Sequence, residues 1–511
     1  MNYSVLFPQP TLENLDKNIV EPVYFHDLNL DQILIPLLQK KQKYHLEEFY
    51  FTPLSDIHTI FYRQEVFKDL EDEQLQNILL RFSFDFYALK SEIENLVNKI
   101  SFDKKDYLSR GHYLDCAKRY VDLLTSLTTE LVEKKLSSTG LLTFKKYLNT
   151  YIKSDFFINL QNHVNKLKEK LGTIKYSMLI KDESIRIKKN EDDKNYSMQI
   201  LQTFSRFTNA SENKTIELQA TPLYNPYIET AILKIVANLY TDIFSELSQF
   251  CKKYKNFINA EFILFSREIQ FYLSWLDTIQ KCKDLNLPFC YPEITSKKDG
   301  IYCTENFNLA LALKNSTKVI TNDFKLDGLE RILVITGPNQ GGKTTFAKSF
   351  GQAHYLASLG LCIPGSTARL FCFDSIYTHF SVEEDITKLS GKLQDDILRL
   401  KKITDTASAK SIVIVNEIFA STTINDAIIL GNKMLDNFNI IDCIVVFVTF
   451  LDEMANHGKE TVSMMSTINL EDASLRTYKI VRKPPDGLAY AIYLAEKYGL
   501  TYAQLAQRWT K

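Results

Sequence analysis

Arg331-Ile-Leu-Val-Ile-Thr336-Gly337-Pro338-Asn339-Gln340-Gly341-Gly342-Lys343-Thr344-Thr345 decides how this chain is read. A short β-branched run leads into Gly-x4-Gly-Lys-Thr, and a helical pattern follows through Leu359. That is the strand–loop–helix setting of a phosphate-binding P-loop. The glycines let backbone N–H groups turn inward around phosphate oxygens, and the helix N-terminus adds the positive end of its dipole. In such a loop Lys343 reaches the β- and γ-phosphates, and the Thr344 hydroxyl coordinates Mg²⁺. Residues Gly337 through Thr345 are therefore the candidate ATP site, with ATP and Mg²⁺ as the expected cofactors.

A P-loop works with a neighbouring strand. Ser411-Ile-Val-Ile-Val-Asn416-Glu417 is a buried apolar run ending in two polar residues, as in a Walker B strand. The usual ending is Asp-Glu, in which the first residue steadies Mg²⁺ through water and the second polarises the attacking water. Here Asn416 can accept a hydrogen bond from a metal-bound water but brings no negative charge. Glu417 keeps the position of the catalytic carboxylate. Ile444-Val-Val-Phe-Val-Thr449 supplies another strand. Strands alternating with helices from residue 300 onward predict an α/β domain with a mainly parallel sheet.

The first 300 residues have a different grammar. Before Gly300 only Gly111, Gly140 and Gly172 occur, and no proline lies between Pro53 and Pro222. Such a stretch favours long helices. From Ile228 to Phe257 apolar residues recur every three to four positions, a helical stripe. One continuous helix over 227–287 spans on the order of 90 Å at 1.5 Å per residue. A break near Asn256–Asn259 divides it into two. Between 172 and 207 the alternation in Thr173-Ile-Lys-Tyr-Ser-Met-Leu-Ile180 and Ser184-Ile-Arg-Ile-Lys188 predicts short strands. Lys166, Lys168, Lys170, Lys175, Lys181, Arg186, Lys188, Lys189 and Lys194 gather there, with acidic residues interleaved. A solvated face and a surface for phosphate backbones both fit that pattern.

Composition excludes several classes. Of 511 residues 45% are hydrophobic and 24% charged, which is ordinary for a globular chain. The net charge is -1, and the parts on either side of residue 300 are each close to neutral, so bulk charge gives no sign of nucleic-acid binding. The eight cysteines show no C-x-x-C pair and read as reduced thiols. No signal-peptide pattern opens the chain, and the longest apolar stretch contains Asp442. A cytoplasmic protein with no membrane part is expected.

The motifs resemble one family. Thr336-Gly-Pro-Asn-Gln-Gly-Gly-Lys-Thr-Thr345 is similar to the P-loop of MutS, the DNA mismatch-repair ATPase, and its Gly-Pro-Asn opening is distinctive. Ala353 to Leu361-Cys-Ile-Pro364 and Phe373-Asp374-Ser-Ile-Tyr-Thr378 resemble segments that follow it. Glu384-Asp385 and Ser390-Gly391-Lys392 sit where that family has its signature loop. Upstream, Phe51-Thr-Pro-Leu-Ser-Asp56 and Tyr62-Arg63-Gln64-Glu65 resemble the start of its core and lever region.

The resemblance implies an ABC-like ATPase domain C-terminal to a mostly helical core and lever region with a small β clamp-like insertion. The corresponding division is an N-terminal extension (1–45), helical core (46–160), clamp-like insertion with strands (161–225), long lever helices (226–299) and ATPase domain (300–511). It also implies double-stranded DNA as a partner, a role in DNA repair or recombination, and a dimer with a second copy or a relative. Ser390 and Gly391 of one subunit would then complete the other subunit's ATP site. The residues ahead of Phe51 are too few for the family's mismatch-reading domain and connector, so these are expected to be missing.

Departures from the family pattern bear on turnover. Thr449-Phe450 stands where MutS has Thr-His, and Phe419-Ala-Ser-Thr-Thr423 where it has a Gly-Arg-Gly-Thr loop. With Asn416, these predict ATP binding with slow hydrolysis. The alternative is a nucleotide-gated scaffold with little or no ATPase activity. A chromosome-organising ATPase of the SMC type is disfavoured, because both Walker motifs lie close together in sequence.

Overall fold

With almost no glycine or proline to interrupt them, the described part of the first 300 residues folds mainly as helices. The computed structural model describes residues 3–9, 20–99, 106–181, 184–190, 226–314, 319–380, 392–419, 421–468, 476–485, 498–502 and 504–505. The chain divides into two compact units. One comprises residues 78–134 and 145–266, and the other residues 1–77, 135–144 and 267–511.

In the smaller unit, the helices Tyr107–Val132 and Asp155–Gly172 begin at side-chain caps, with Asp106 accepting from the Ser109 amide and Ser154 from the Phe157 amide. Strands β1 (Tyr176–Lys181) and β2 (Ser184–Lys189) pair antiparallel over the stretch read as alternating. The apolar stripe beginning at Ile228 is broken twice rather than once, giving helices Pro226–Leu239, Thr241–Lys253 and Ala260–Asp284. The break at 254–259 is where the Asn-containing segment predicts it. Tyr113 Oη donates to the carbonyls of Tyr254 and Lys255 (2.8 and 2.7 Å), and Phe257 packs against Tyr113 and Tyr120. Asn259 then caps the next helix by accepting from the Glu261 amide (2.8 Å). The second break, at Tyr240, corrects the reading of one long helix there. Tyr240 leaves helical geometry (φ −120°, ψ 49°), its hydroxyl donates to Lys175 O beside the hairpin, and Lys189 lies over its ring. A tertiary hold on one aromatic outweighs the helical preference of its neighbours.

The larger unit carries the α/β architecture. Strands β3 (Phe289–Cys290), β4 (Glu293–Thr295), β5 (Ile301–Asn306) and β6 (Asn322–Leu326) precede β7 (Ile332–Thr336). They are followed by β8 (Ile363–Pro364), β9 (Thr367–Phe371), β10 (Ile376–Phe380), β11 (Ile412–Asn416), β12 (Ile444–Val448), β13 (Thr461–Ile468) and β14 (Arg476–Arg482). The main sheet has the order β10-β11-β12-β7-β13-β14, parallel except for the antiparallel edge strand β14. A second sheet, β4-β9-β5-β6, and the pair β3-β8 complete the strands.

Every residue of β7, β11 and β12 is buried, as expected where helices cover both faces of a parallel sheet. Each such Val or Ile side chain contributes about 1.5–3 kcal/mol on burial. These central strands therefore form the rigid floor from which the loops after β7 and β11 project. Described residues ahead of Leu46 join this unit. Gln352 accepts from the Leu309 amide (2.9 Å) and donates to Leu28 O (2.8 Å). Thr378 donates to Asp27 (2.6 Å). Among the described residues, no helix is long and apolar enough to cross a membrane.

Candidate nucleotide site

The loop after β7 is built from glycine and from a close neighbour on β13. Gly337 has φ +110° and Gly342 φ +92°, a left-handed backbone open to glycine at little cost. Gln340 adopts φ +60° between them. A Cβ on Gly341 would collide with Ser466 Oγ and lie 2.9 Å from Pro338 O. A Cβ on Gly337 would lie 3.0 Å from Ser466 O. Ser466 is fully buried and donates to Gly341 O (2.7 Å), fixing the turn from beneath. Arg476 donates from Nε to Asn339 O (3.3 Å). The loop closes into the helix Lys343–Ser358, with Gly342 as its N-cap residue.

Lys343 opens that helix and is buried. Its ammonium donates to Gly337 O (2.9 Å) and Pro338 O (3.2 Å) and lies 3.9 Å from a Glu417 carboxylate oxygen. Burial pulls the Lys343 pKa below its ordinary value, Glu417 opposes that shift, and the charge of Arg476 adds to it. Thr344 donates to Asn416 Oδ1 (2.8 Å), so the P-loop hydroxyl and the end of β11 meet directly.

Asn416 is buried, and the chain then turns sharply. Glu417 takes φ +52° and Phe419 φ +60°, which is uncommon for residues with a Cβ. The turn is held by the Glu417 amide donating to Val448 O (2.9 Å), which extends the β11–β12 pairing by one step. It leaves the Glu417 side chain partly exposed and directed toward Lys343. On the next strand Thr449 is buried, whereas Phe450 is 43% exposed.

A cavity of ≈ 380 Å³ lies over the helix N-terminus. Gln340 to Phe346 and Glu417 line one side, and Phe307, Leu311, Val319, Ile320 and Tyr478 the other. The volume is within the usual range for small-molecule sites. One side offers backbone amides, an ammonium and hydroxyls, while the other is apolar with asparagines among it.

The fold thus brings Gly337 through Thr345, Asn416 and Glu417 into one place. Ser390 and Gly391, together with Glu384 and Asp385, lie outside the described residues. The segment holding them is flanked by a buried pair, His379 on β10 and Asp396 on the helix Lys392–Thr406 (3.0 Å). Sequence reasoning missed Ser466, Arg476, Tyr478 and the apolar wall. Ser466, Arg476 and Tyr478 lie on β13 and β14, strands that carry no motif, and the wall residues Phe307, Leu311, Val319 and Ile320 lie outside any strand. Among the described residues there is no group of three or more His, Cys, Asp or Glu side chains that could hold a metal ion.

Comparison with known proteins gives two family matches. Residues 333–508 match the family described as MutS domain V, and residues 55–285 match the MutS2 N-terminal domain. The DNA mismatch repair protein MutS of Thermosipho melanesiensis is 24% identical over 255 residues, 48% of this chain and 30% of that protein. The MutS of Orientia tsutsugamushi strain Boryong is 27% identical over 222 residues, 42% of this chain and 24% of that protein. The chain therefore spans less than a third of the length of these curated relatives. The two family models leave only short stretches of the chain unmatched, one covering the helical part and the other the P-loop part. On these grounds the chain is a MutS-related protein.

Proposed function

We propose that this chain is an ATP-dependent DNA-binding protein, related to DNA repair or recombination, that binds Mg-ATP at the P-loop and hydrolyses it slowly. The observation that carries the reading is the cradle itself. Buried Lys343 heads a helix whose preceding turn admits no Cβ at Gly341, and Thr344 is already paired to the end of β11. Loop amides and Lys343 would hold the phosphates, and the apolar wall with Phe307 and Tyr478 fits a planar base. Thr344 directly and Asn416 through water would hold Mg²⁺, whose charge would offset that of the phosphates. Glu417 is the candidate base that polarises water.

DNA as partner follows from what the relatives are called and from the basic hairpin region. Lys168 and Lys170 are engaged by Asp115 and Glu246, and Lys189 by the Tyr240 ring, so Arg186 and Lys188 are the hairpin cations proposed for phosphate contact. Salt-sensitive DNA binding that changes with ATP is expected. A gel-shift series with duplex, branched and mismatched DNA, run with and without Mg-ATP, tests it. No binding to any of them would refute the DNA reading.

The active form is proposed to be a dimer in which Ser390 and Gly391 reach the partner's nucleotide. Ser390→Arg should then lower hydrolysis while ATP binding persists, and normal turnover would count against a shared site.

A second reading is a nucleotide-gated scaffold without useful hydrolysis. It is favoured by the neutral Asn416 and by Phe450 in place of an imidazole. A steady-state ATPase assay separates the two. Stimulation by DNA supports the first, and a flat, very low rate supports the scaffold.

A further inference from the structure

The nucleotide site lies at the start of the helix Lys343–Ser358, and a second buried polar cluster lies at its end. Arg63, on the helix Ile57–Asp69, is 1% exposed. One guanidinium nitrogen donates to the carbonyl of Leu359, the C-cap residue (3.1 Å), and Nε donates to Leu6 O (3.2 Å). The rings of Phe7 and Phe271 lie near it at 4.9 and 5.1 Å. The approach depends on Gly360, which has φ +80° and where a Cβ would lie 2.7 Å from Arg63 Cβ.

Next to Arg63, Glu268 of the helix Ala260–Asp284 is 3% exposed. Its two oxygens accept from Ser4 Oγ (2.7 Å) and the Val5 amide (2.8 Å). Tyr62 donates to Ser4 O (2.6 Å), and Tyr272 to Val5 O. Ser4 Oγ accepts in turn from the amides of Leu6 and Phe7. Residues 3–7 are thus neither helix nor strand. Val5 and Leu6 are fully buried, and the carbonyls of residues 4–6 and the Val5 amide are met by side chains of two helices. A bound peptide is held in a groove in the same way.

The groove is costly to leave empty. Burial pushes the Glu268 carboxyl up to about 7, against the pull of Ser4, the Val5 amide and Arg63. Without residues 3–7 these buried groups lose their partners.

We propose that this groove is a peptide-binding site with residues 3–7 as its cis ligand, and that its occupancy is coupled through Arg63 to nucleotide binding, each favouring the other. The sign follows from Arg63. Held by Leu6 O on one side, its cation sits at the C-terminal carbonyl end of the helix Lys343–Ser358, where positive charge stabilises a helix. The same helix presents the phosphate-binding N-terminus. A second tie runs beside it, with Tyr355 donating to Tyr50 O and Tyr50 to Phe271 O. The coupling rests on the nucleotide reading above, and linkage makes it reciprocal.

The test places a protease site between residues 9 and 20 of the full chain, cuts it, and titrates a fluorescent peptide of residues 1–9. The peptide should bind the cut chain, and Mg-ATP should tighten it by about fivefold or more, the lower end of usual site–site coupling. The peptide should tighten Mg-ATP by the same factor. A Ser4→Ala peptide should bind at least about tenfold more weakly, since a buried Glu268 oxygen and the amides of Leu6 and Phe7 then lose the Ser4 hydroxyl. Peptide affinity indifferent to a nucleotide that does bind would overturn the coupling alone. An uncut chain that binds no nucleotide overturns the coupling together with the nucleotide reading. Should cutting unfold the chain, hydrogen exchange at the Val5 amide of the uncut chain decides. Mg-ATP should slow it, and an unchanged rate would refute the proposal.

Discussion

Replacing Gly341 by alanine adds one methyl group where the loop has no room for it. The new Cβ would collide with Ser466 Oγ and lie 2.9 Å from Pro338 O and 3.0 Å from Ser466 Cβ. Ser466 Oγ can rotate away, which gives up its 2.7 Å bond to Gly341 O and costs about 1 kcal/mol. Pro338 O is backbone and can move only if the loop moves. Overpacking at such a site costs about 1–3 kcal/mol. The total, roughly 2–4 kcal/mol, falls on the turn that must present its amides inward, so nucleotide binding should weaken by at least about tenfold. Calorimetric titration with Mg-ATP reads the affinity, and thermal denaturation reads the stability. Adding Ser466→Gly should recover part of the stability, because it clears the Ser466 contacts but leaves Pro338 O in place. Wild-type affinity in Gly341→Ala would refute the claim that this turn is the phosphate cradle.

Other outcomes follow from the same geometry. Asn416→Asp keeps the acceptor for Thr344 and adds a charge at a buried position. It should destabilise the metal-free protein yet tighten Mg²⁺ with nucleotide by about tenfold, because a charge-assisted bond to metal-held water is the stronger one. An unchanged Mg²⁺ dependence would argue against Asn416 at the metal. His354 is fully buried, its Nδ1 meets Phe350 O, its Nε2 meets no partner among the described residues, and burial lowers its pKa from 6.5 to about 4. The neutral ring is the one the fold accepts. Its contribution, on the order of 3 kcal/mol, is fully present above pH 6.5 and is lost as pH falls toward 4. Denaturant melts between pH 7 and 4 should show that slope flattened in His354→Phe, and an identical slope would remove His354 as the cause.

How far the chain can be read from sequence depends on how local each feature is. β7, β11 and β12 announce themselves as β-branched runs because both of their faces are buried. The P-loop and the Asn416-Glu417 step follow those runs directly, so the centre of the site was legible. β13 and β14 carry mixed residues, and Tyr478 takes a left-handed φ of +56° that no propensity anticipates. Ser466 and Arg476 therefore could not be assigned to the loop they support. The cavity wall at Phe307 and Val319 reaches the site only through tertiary packing. Residues 3–7 show no periodicity, and their partner Glu268 lies far along the chain. Their burial follows from Arg63 and Glu268 needing partners, which is visible only once the helices are assembled. The break at Tyr240 is of the same kind, since the hold on its hydroxyl comes from the hairpin.

The measurement closest to the central claim is equilibrium binding of Mg-ATP to the wild-type chain and to Lys343→Ala. Lys343 is buried at the head of the helix with its ammonium directed at the loop carbonyls and Glu417. Its removal should take away the main cation of the cradle while leaving the fold of β7, β11 and β12 in place. The account predicts saturable binding to the wild type that weakens by at least about a hundredfold in the variant, as loss of a buried charge contact requires. Far-UV circular dichroism should be unchanged. A wild-type chain that binds no Mg-ATP, or a folded variant that binds it equally well, would contradict the account.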